Sequence, residues 1–122
     1  MKPDRADTAL LLDILNYARQ IRQFVAGVAW PAFEINPEKQ AAVMHRITLI
    51  GEISRRISEP LKQAHPEIPW SNIAGMRNRL IHDYDDVNLE IVWLVATDRI
   101  PELIRQIDPL LPIRSADEDM TP

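Results

Sequence analysis

The stretch LLDILNYARQIRQFV, residues Leu11–Val25, decides the fold. Leu11, Ile14, Leu15, Ala18, Ile21 and Val25 recur at steps of three and four, and Val28 continues the series. That spacing lines one side of a helix, while Asp13, Arg19 and Arg22 fall mostly off the stripe. A strand would need apolar residues at every second position, and no alternation long enough to compete occurs in the chain. The pattern predicts a first helix from about Asp4 to Val28.

Working outward, AWPAFEINP (Ala29–Pro37) breaks the pattern with two prolines. Asn36 followed by Pro37 reads as an N-cap and a first-turn proline. A second helix then runs from Pro37 to about Ser58, with Val43, Ile47, Ile50, Ser54 and Ile57 facing inward. Glu52 with Arg55 and Arg56 reads as its exposed charged face. EPLKQAHPEIP (Glu59–Pro69) is a connector with three prolines and room for a helical turn around Leu61. A third helix starts near Trp70, carries Ile73, Met76, Leu80 and Ile81, and ends at DYDDVN (Asp83–Asn88). Asn88 caps a fourth, in which Leu89, Val92, Ala96, Ile100, Leu103 and Ile107 share a stripe with Trp93 and Ile104. Pro101 should kink it, because proline lacks a donor and clashes with the preceding turn. Four amphipathic segments with short connectors predict an all-α, up-and-down antiparallel four-helix bundle over residues 1–112. From Pro109 the periodicity fades, and 113–122 is expected to be a disordered acidic tail.

A chain of 122 residues fits one domain. Its 46% hydrophobic and 26% charged residues exclude general disorder. A bundle this small can bury further apolar surface by dimerising. With no cysteine, disulfides, thiolate metal sites and cysteine nucleophiles are excluded. The start, MKPDRADTALLLDIL, is charged within seven residues and lacks the uninterrupted apolar core of a signal peptide. The uncharged run through Phe24–Phe33 is far short of the roughly 20 residues a membrane span needs. A cytoplasmic protein without a membrane partner is expected. The net charge of -4 argues against a general nucleic-acid coat. Because Asp117, Glu118 and Asp119 crowd the end of the chain, the body is close to neutral, and a local basic site stays open.

Reactive side chains concentrate in GMRNRLIHDY, Gly75–Tyr84, in a chain with only three histidines and two tyrosines. On a regular helix His82 would sit about 140° around and roughly 7.5 Å along from Arg77, so the two would not meet. They converge only if the helix loosens near Ile81–Asp83, or if a second copy of the chain supplies the partner. If they do, an always-charged guanidinium and an imidazole that titrates near neutrality suffice for RNA cleavage without a metal. The ribose 2′-hydroxyl attacks phosphorus, His82 moves a proton, and Arg77 offsets charge on the phosphorane. Asn78 could hold the phosphate or the imidazole. On spacing alone the structural alternative is the stronger reading, because a single Arg-x4-His arises often by chance. Arg77 and His82 could complement a helix C-terminus, Asp83, Asp85 and Asp86 could neutralise Arg77 and Arg79, and Tyr84 could be a core aromatic.

The longer stretch IPWSNIAGMRNRLIHDYDDVNLEIVW (Ile68–Trp93) resembles the signature of the HepT-like proteins, a branch of the HEPN superfamily. Pro-Trp before the helix, Gly-Met-Arg-Asn, Leu-Ile-His-x-Tyr and the following Leu-Glu-Ile-Val-Trp carry the resemblance. It extends from LLDILNYARQIRQFV to IPELIRQI (Ile100–Ile107). The resemblance implies an up-and-down helical bundle, a homodimer with two motif regions facing a shared cleft, and a metal-independent ribonuclease toxin of a toxin–antitoxin pair. It makes Arg77 and His82 the catalytic pair, with Asn78 and Asp83 in support. It implies a partner, a minimal nucleotidyltransferase antitoxin that transfers AMP from ATP onto Tyr84. An AMP on Tyr84 would set a phosphodiester charge and a base beside Arg77, where substrate phosphate would lie. The alternative is a non-catalytic partner that docks the nucleotidyltransferase and accepts AMP.

Other residues read more plainly. No glutamate precedes a histidine by three positions, so the di-iron bundle pattern is absent, and no metal or cofactor is expected. His45 reads as solvated and His65 as loop surface. Trp30 and Trp70 should seal connectors, and Trp93 should belong to the core or a dimer interface. Arg55, Arg56 and Lys62 read as a solvated face, with a basic rim for RNA as the alternative. Without a glycine-rich phosphate loop, ATP binding by this chain is not expected.

Overall fold

The computed structural model describes residues 2–83 and 86–111; for 81–83 and 86 the backbone alone is described. Among the described residues the main helices fall into four successive segments, the third and fourth of them broken. Helix α1 spans Arg5–Val25 and α3 spans Pro37–Arg55. The third segment is split into α5 (Trp70–Ala74) and α6 (Met76–Leu80). The fourth is α7 (Leu89–Leu94), a π turn (Val95–Arg99) and α8 (Ile100–Ile107) in unbroken succession. Short helices α2 (Trp30–Glu34) and α4 (Glu59–Ala64) fill the connectors. The architecture is an all-α helical bundle. Among the described residues the one extended element is a ribbon of β1 (Ile81–Asp83) and β2 (Asp86–Val87), too short to change the class.

The core follows the apolar stripes. Leu11, Ala18, Ile21, Val43, Ile47 and Ile50 are fully buried where α1 packs along α3. Val92, Ala96, Ile100, Leu103 and Ile107 close the same core from the fourth segment. Val95, which the expected stripe omits, is buried as well. Burial of these faces, rather than intrinsic propensity, supplies most of the helical stability.

Helix ends follow local chemistry. The first helix stops at Val25, short of the expected Val28, because Gly27 takes a φ of 71°, open to glycine and strained for other residues. Asn36 accepts from the Lys39 amide at 3.0 Å and Pro37 opens α3, as the pair predicts. The second helix ends at Arg55 rather than Ser58, and Ser58 instead caps α4 around the buried Leu61. Asp4 accepts from the Asp7 amide at 2.7 Å, and the buried Asp7 accepts from both the amide and the hydroxyl of Ser58. The start of α1 is thereby tied to the start of α4, across 51 positions.

The proline-broken connector Ala29–Pro37 holds more order than its sequence shows. Pro31 sits in the first turn of α2, where its missing N–H costs nothing. The Trp30, Phe33 and Trp93 rings pack together, at centroid separations of 5.0 to 6.3 Å. Trp70 is buried and donates its indole N–H to the His65 carbonyl at 3.0 Å, so both connector tryptophans act as seals. His45 is exposed. His65 differs from the expected loop surface: its side chain is 20% exposed, with Nδ1 3.3 Å from Glu67. Its Nε2 is closed off without a hydrogen-bond partner among the described residues.

The disruption expected at Pro101 takes the form of the π turn ahead of it. Ile100 donates to the Val95 carbonyl, five residues back, so the helix widens before the proline and continues after it. The Thr97 hydroxyl takes the Trp93 carbonyl at 2.7 Å. Beyond α8, a 3-10 turn at Asp108–Leu110 seats Leu111 against the core. The tail expected at 113–122 lies outside the described residues.

Candidate functional site

Gly75 divides the third segment. Its amide reaches the Ser71 carbonyl at 3.0 Å, whereas the Asn78 amide turns to the Gly75 carbonyl at 3.1 Å, three residues back. The Ala74 carbonyl, which a regular helix would give to Asn78, takes a guanidinium proton from Arg55 at 3.1 Å. Gly51, one turn before Arg55, permits this approach. A β-carbon there would stand 3.2 Å from the Ile73 carbonyl oxygen and 3.3 Å from that of Ala74.

Met76 and Leu80, one turn apart, are buried and fix how α6 lies on the core. Arg77, Asn78 and Arg79 between them are therefore turned outward, and all three are exposed. Among the described residues the Arg77 side chain makes no ion pair or hydrogen bond, whereas Arg79 donates to Asn72 at 3.1 Å. Arg77 is thus a cation held at the surface.

The helix does not carry on to His82. Leu80 is its last residue, and its carbonyl accepts from the Asn88 amide at 2.9 Å, closing the ribbon. In the antiparallel pairing Ile81 faces Val87 and Asp83 faces Asp86. Two steps along β1 thus match one step along β2, which leaves His82 as the extra residue of a bulge. Bulges bend the strand and re-aim a side chain. The helical phase that would separate Arg77 from His82 therefore no longer applies: the loosening near Ile81–Asp83 is present in the backbone. The side chains of His82 and Asp83, and Tyr84 entirely, lie outside the described residues.

Beside α6 an apolar groove of about 460 Å3 opens between α5–α6 and the fourth segment. Ile73, Met76 and Leu80 line it from one side and Ile91, Leu94 and Val95 from the other. Leu94 is 49% exposed, unusual for a large apolar side chain beside such a groove. Two features of this region escape the sequence reading. One is the groove. The other is the Arg55 contact, whose only sequence signal is a scarce glycine placed inside a helix one turn earlier.

The third segment of the bundle breaks at Gly75, exposes Arg77 and ends ahead of a bulge at His82. The family profile described as "Ribonuclease HepT-like" matches residues 14–110, and the chain belongs to that family. Among its relatives is a Thermococcus cleftensis protein named "Probable ribonuclease HepT". The two are 33% identical over 106 residues, 87% of this chain and 96% of the relative. A Methanocaldococcus jannaschii protein named "Putative RNase MJ1216" is 33% identical over 109 residues, 89% of this chain and 90% of the other. A Caldanaerobacter subterraneus protein named "Putative RNase TTE0752" is 33% identical over 98 residues, 80% and 88% of the two chains. No solved structure matches. The enzyme class is ribonuclease. No helix among the described residues is long and apolar enough to cross a membrane.

Proposed function

We propose that this protein is an endoribonuclease that cleaves RNA by attack of the ribose 2′-hydroxyl on the adjacent phosphorus, with Arg77 and His82 as its catalytic pair. The observation that carries the reading is the end of α6 at Leu80 followed by the bulge at His82, beside an exposed Arg77 without a partner among the described residues. Arg77 binds the non-bridging oxygens and stabilises the charge that grows on them in the phosphorane. His82 takes the 2′-hydroxyl proton or gives one to the departing 5′-oxygen. Asn78, exposed beside Arg77, holds the phosphate or the imidazole, and Asp83 orients the histidine. The nucleophile belongs to the substrate, so RNA is cut and DNA is not, and the chemistry asks for no metal.

The finer regulation follows the family resemblance. The protein acts as the toxin of a toxin–antitoxin pair, and a minimal nucleotidyltransferase silences it by moving AMP onto Tyr84. The adduct's phosphodiester would compete for Arg77. The active unit is a homodimer, with the apolar groove around Leu94 as the face that meets a second copy. That groove shares Met76 and Leu80 with the helix carrying Arg77, so dimerisation would bring two such helices toward one cleft.

The test is cleavage of a labelled RNA by purified protein in EDTA, compared with the same oligonucleotide carrying a 2′-deoxyribose at the cut position. The expected result is cleavage of the first and none of the second, with loss of at least about 100-fold in His82→Ala. Undiminished cleavage by His82→Ala rejects the catalytic assignment. No cleavage by the native chain, with a gain of AMP mass on Tyr84 in the presence of a nucleotidyltransferase and ATP, would favour the non-catalytic acceptor. In sedimentation, Leu94→Glu should convert the dimer to monomers; an unaltered dimer would place its interface elsewhere.

A further inference from the structure

Arg55 is the charged residue that the sequence leaves on a solvated face and the fold carries to the active segment. It is exposed, yet its guanidinium is not spent on Glu52 three residues earlier; among the described residues it makes no ion pair. One of its five N–H groups goes to the Ala74 carbonyl. Ala74 is the last residue of α5, and the carbonyl it offers to Arg55 lies at the break, just before the positions three and four residues further on. Those positions are Arg77 and Asn78. The Arg55 guanidinium is therefore held from α3 at the level of the motif, with N–H groups left over.

We propose that Arg55 is a phosphate-binding residue of this site, which holds an RNA phosphate neighbouring the one that Arg77 serves. This rests on the ribonuclease reading above. The Ala74 tether makes Arg55 more than an ordinary surface arginine. A guanidinium already fixed by one hydrogen bond gives up less freedom when it meets an anion, and its planar fork suits phosphate oxygens. Gly51 makes the tether possible, since the bare backbone lets α3 come close to the carbonyls of Ile73 and Ala74. The Ser54 hydroxyl, buried and bonded to the Gly51 carbonyl at 2.8 Å, adds a local tie on the same turn of α3. Arg55 thus lengthens the footprint on the substrate from one phosphate to two.

The experiment measures binding of a short single-stranded RNA by fluorescence anisotropy at several salt concentrations. It uses the full-length chain in a His82→Ala background, which keeps the RNA intact. Arg55→Ala should weaken binding several-fold at low salt and reduce the slope of log K against log salt by roughly 0.7, the loss of one phosphate contact on a single strand. Arg55→Lys should keep the slope, since an ammonium still neutralises one phosphate. Arg77→Ala should lower the slope as well. An unchanged slope in Arg55→Ala, with or without weaker binding, would overturn the proposal and reduce Arg55 to a structural tie; so would a slope lost equally in Arg55→Lys. If Arg77→Ala lowers the slope and Arg55→Ala does not, only the Arg55 assignment falls. If the background protein binds no RNA and the native chain cuts none, the ribonuclease reading falls and takes this assignment with it.

Discussion

Helices α1 and α3 run for 21 and 19 residues without interruption, whereas the segment from Trp70 to Val87 changes conformation at Gly75, at Leu80 and again at His82. Both regions bury apolar residues on the same core. The long pair gains by regularity, since successive turns from Leu11 to Ile21 and from Val43 to Ser54 add buried side chains to a continuous seam. The short pieces give that up. Their breaks free a carbonyl for Arg55, turn three polar side chains outward and release His82 from the helical phase. Regular helix is concentrated in one half of the bundle, and irregular backbone is held in the other.

Substitutions can separate the two roles. Ile47, fully buried in α3, should cost about 2–5 kcal/mol when cut to alanine, read as a lower urea midpoint. Cleavage per folded molecule should stay near the native value. Arg77→Ala should do the reverse, with a loss of cleavage of about 100-fold or more at a nearly unchanged midpoint. A large stability loss from Arg77→Ala would erase the distinction.

Gly51 joins the halves, so its substitution tests the join. Gly51→Ala would improve helix propensity by about 1 kcal/mol, yet its methyl would press on two backbone carbonyls that cannot swing aside. Overpacking of this kind costs about 1–3 kcal/mol, so a net loss of stability is expected, accompanied by weaker cleavage as α5–α6 is pushed off α3. A stabilised protein with full cleavage would show that the close approach is dispensable.

The finest comparison uses one chemistry in two places. Asn36 caps α3 and Asn88 caps α7, accepting from amides at 3.0 and 3.2 Å. Either one changed to alanine should cost about 1 kcal/mol. Only Asn88→Ala should also reduce cleavage, because losing the side-chain cap on Ile91 loosens the backbone whose amide, kept in alanine, closes the ribbon against Leu80. Equal effects on cleavage would mean that the ribbon is set by something other than that closure.

Most of the bundle was legible because helical stripes depend on spacing alone. Asn36-Pro37 and Asn88 marked helix starts for the same local reason. Three features were not. The π turn depends on how the chain reaches Pro101, and several local solutions satisfy a missing donor. Helix α2 is held by Trp30 and Phe33 packing on Trp93, some sixty residues away, a contact no local pattern records. The ribbon is too short for alternation to show. At the candidate site, GMRNRLIHDY gathered the reactive side chains, and its spacing named the condition under which Arg77 and His82 could converge. What the spacing could not say was that the helix would end at Leu80, or that Arg55 would arrive from another helix.

The tie from Asp4 through Asp7 to Ser58 bears on how the chain can be handled in the laboratory. A look at MKPDRAD invites trimming, for it resembles a dispensable polar leader. Removing residues 1–7 would instead leave the Ser58 amide without its acceptor and loosen a connector halfway along the chain. Fusion partners and affinity tags are better joined ahead of Lys2 than in place of this stretch.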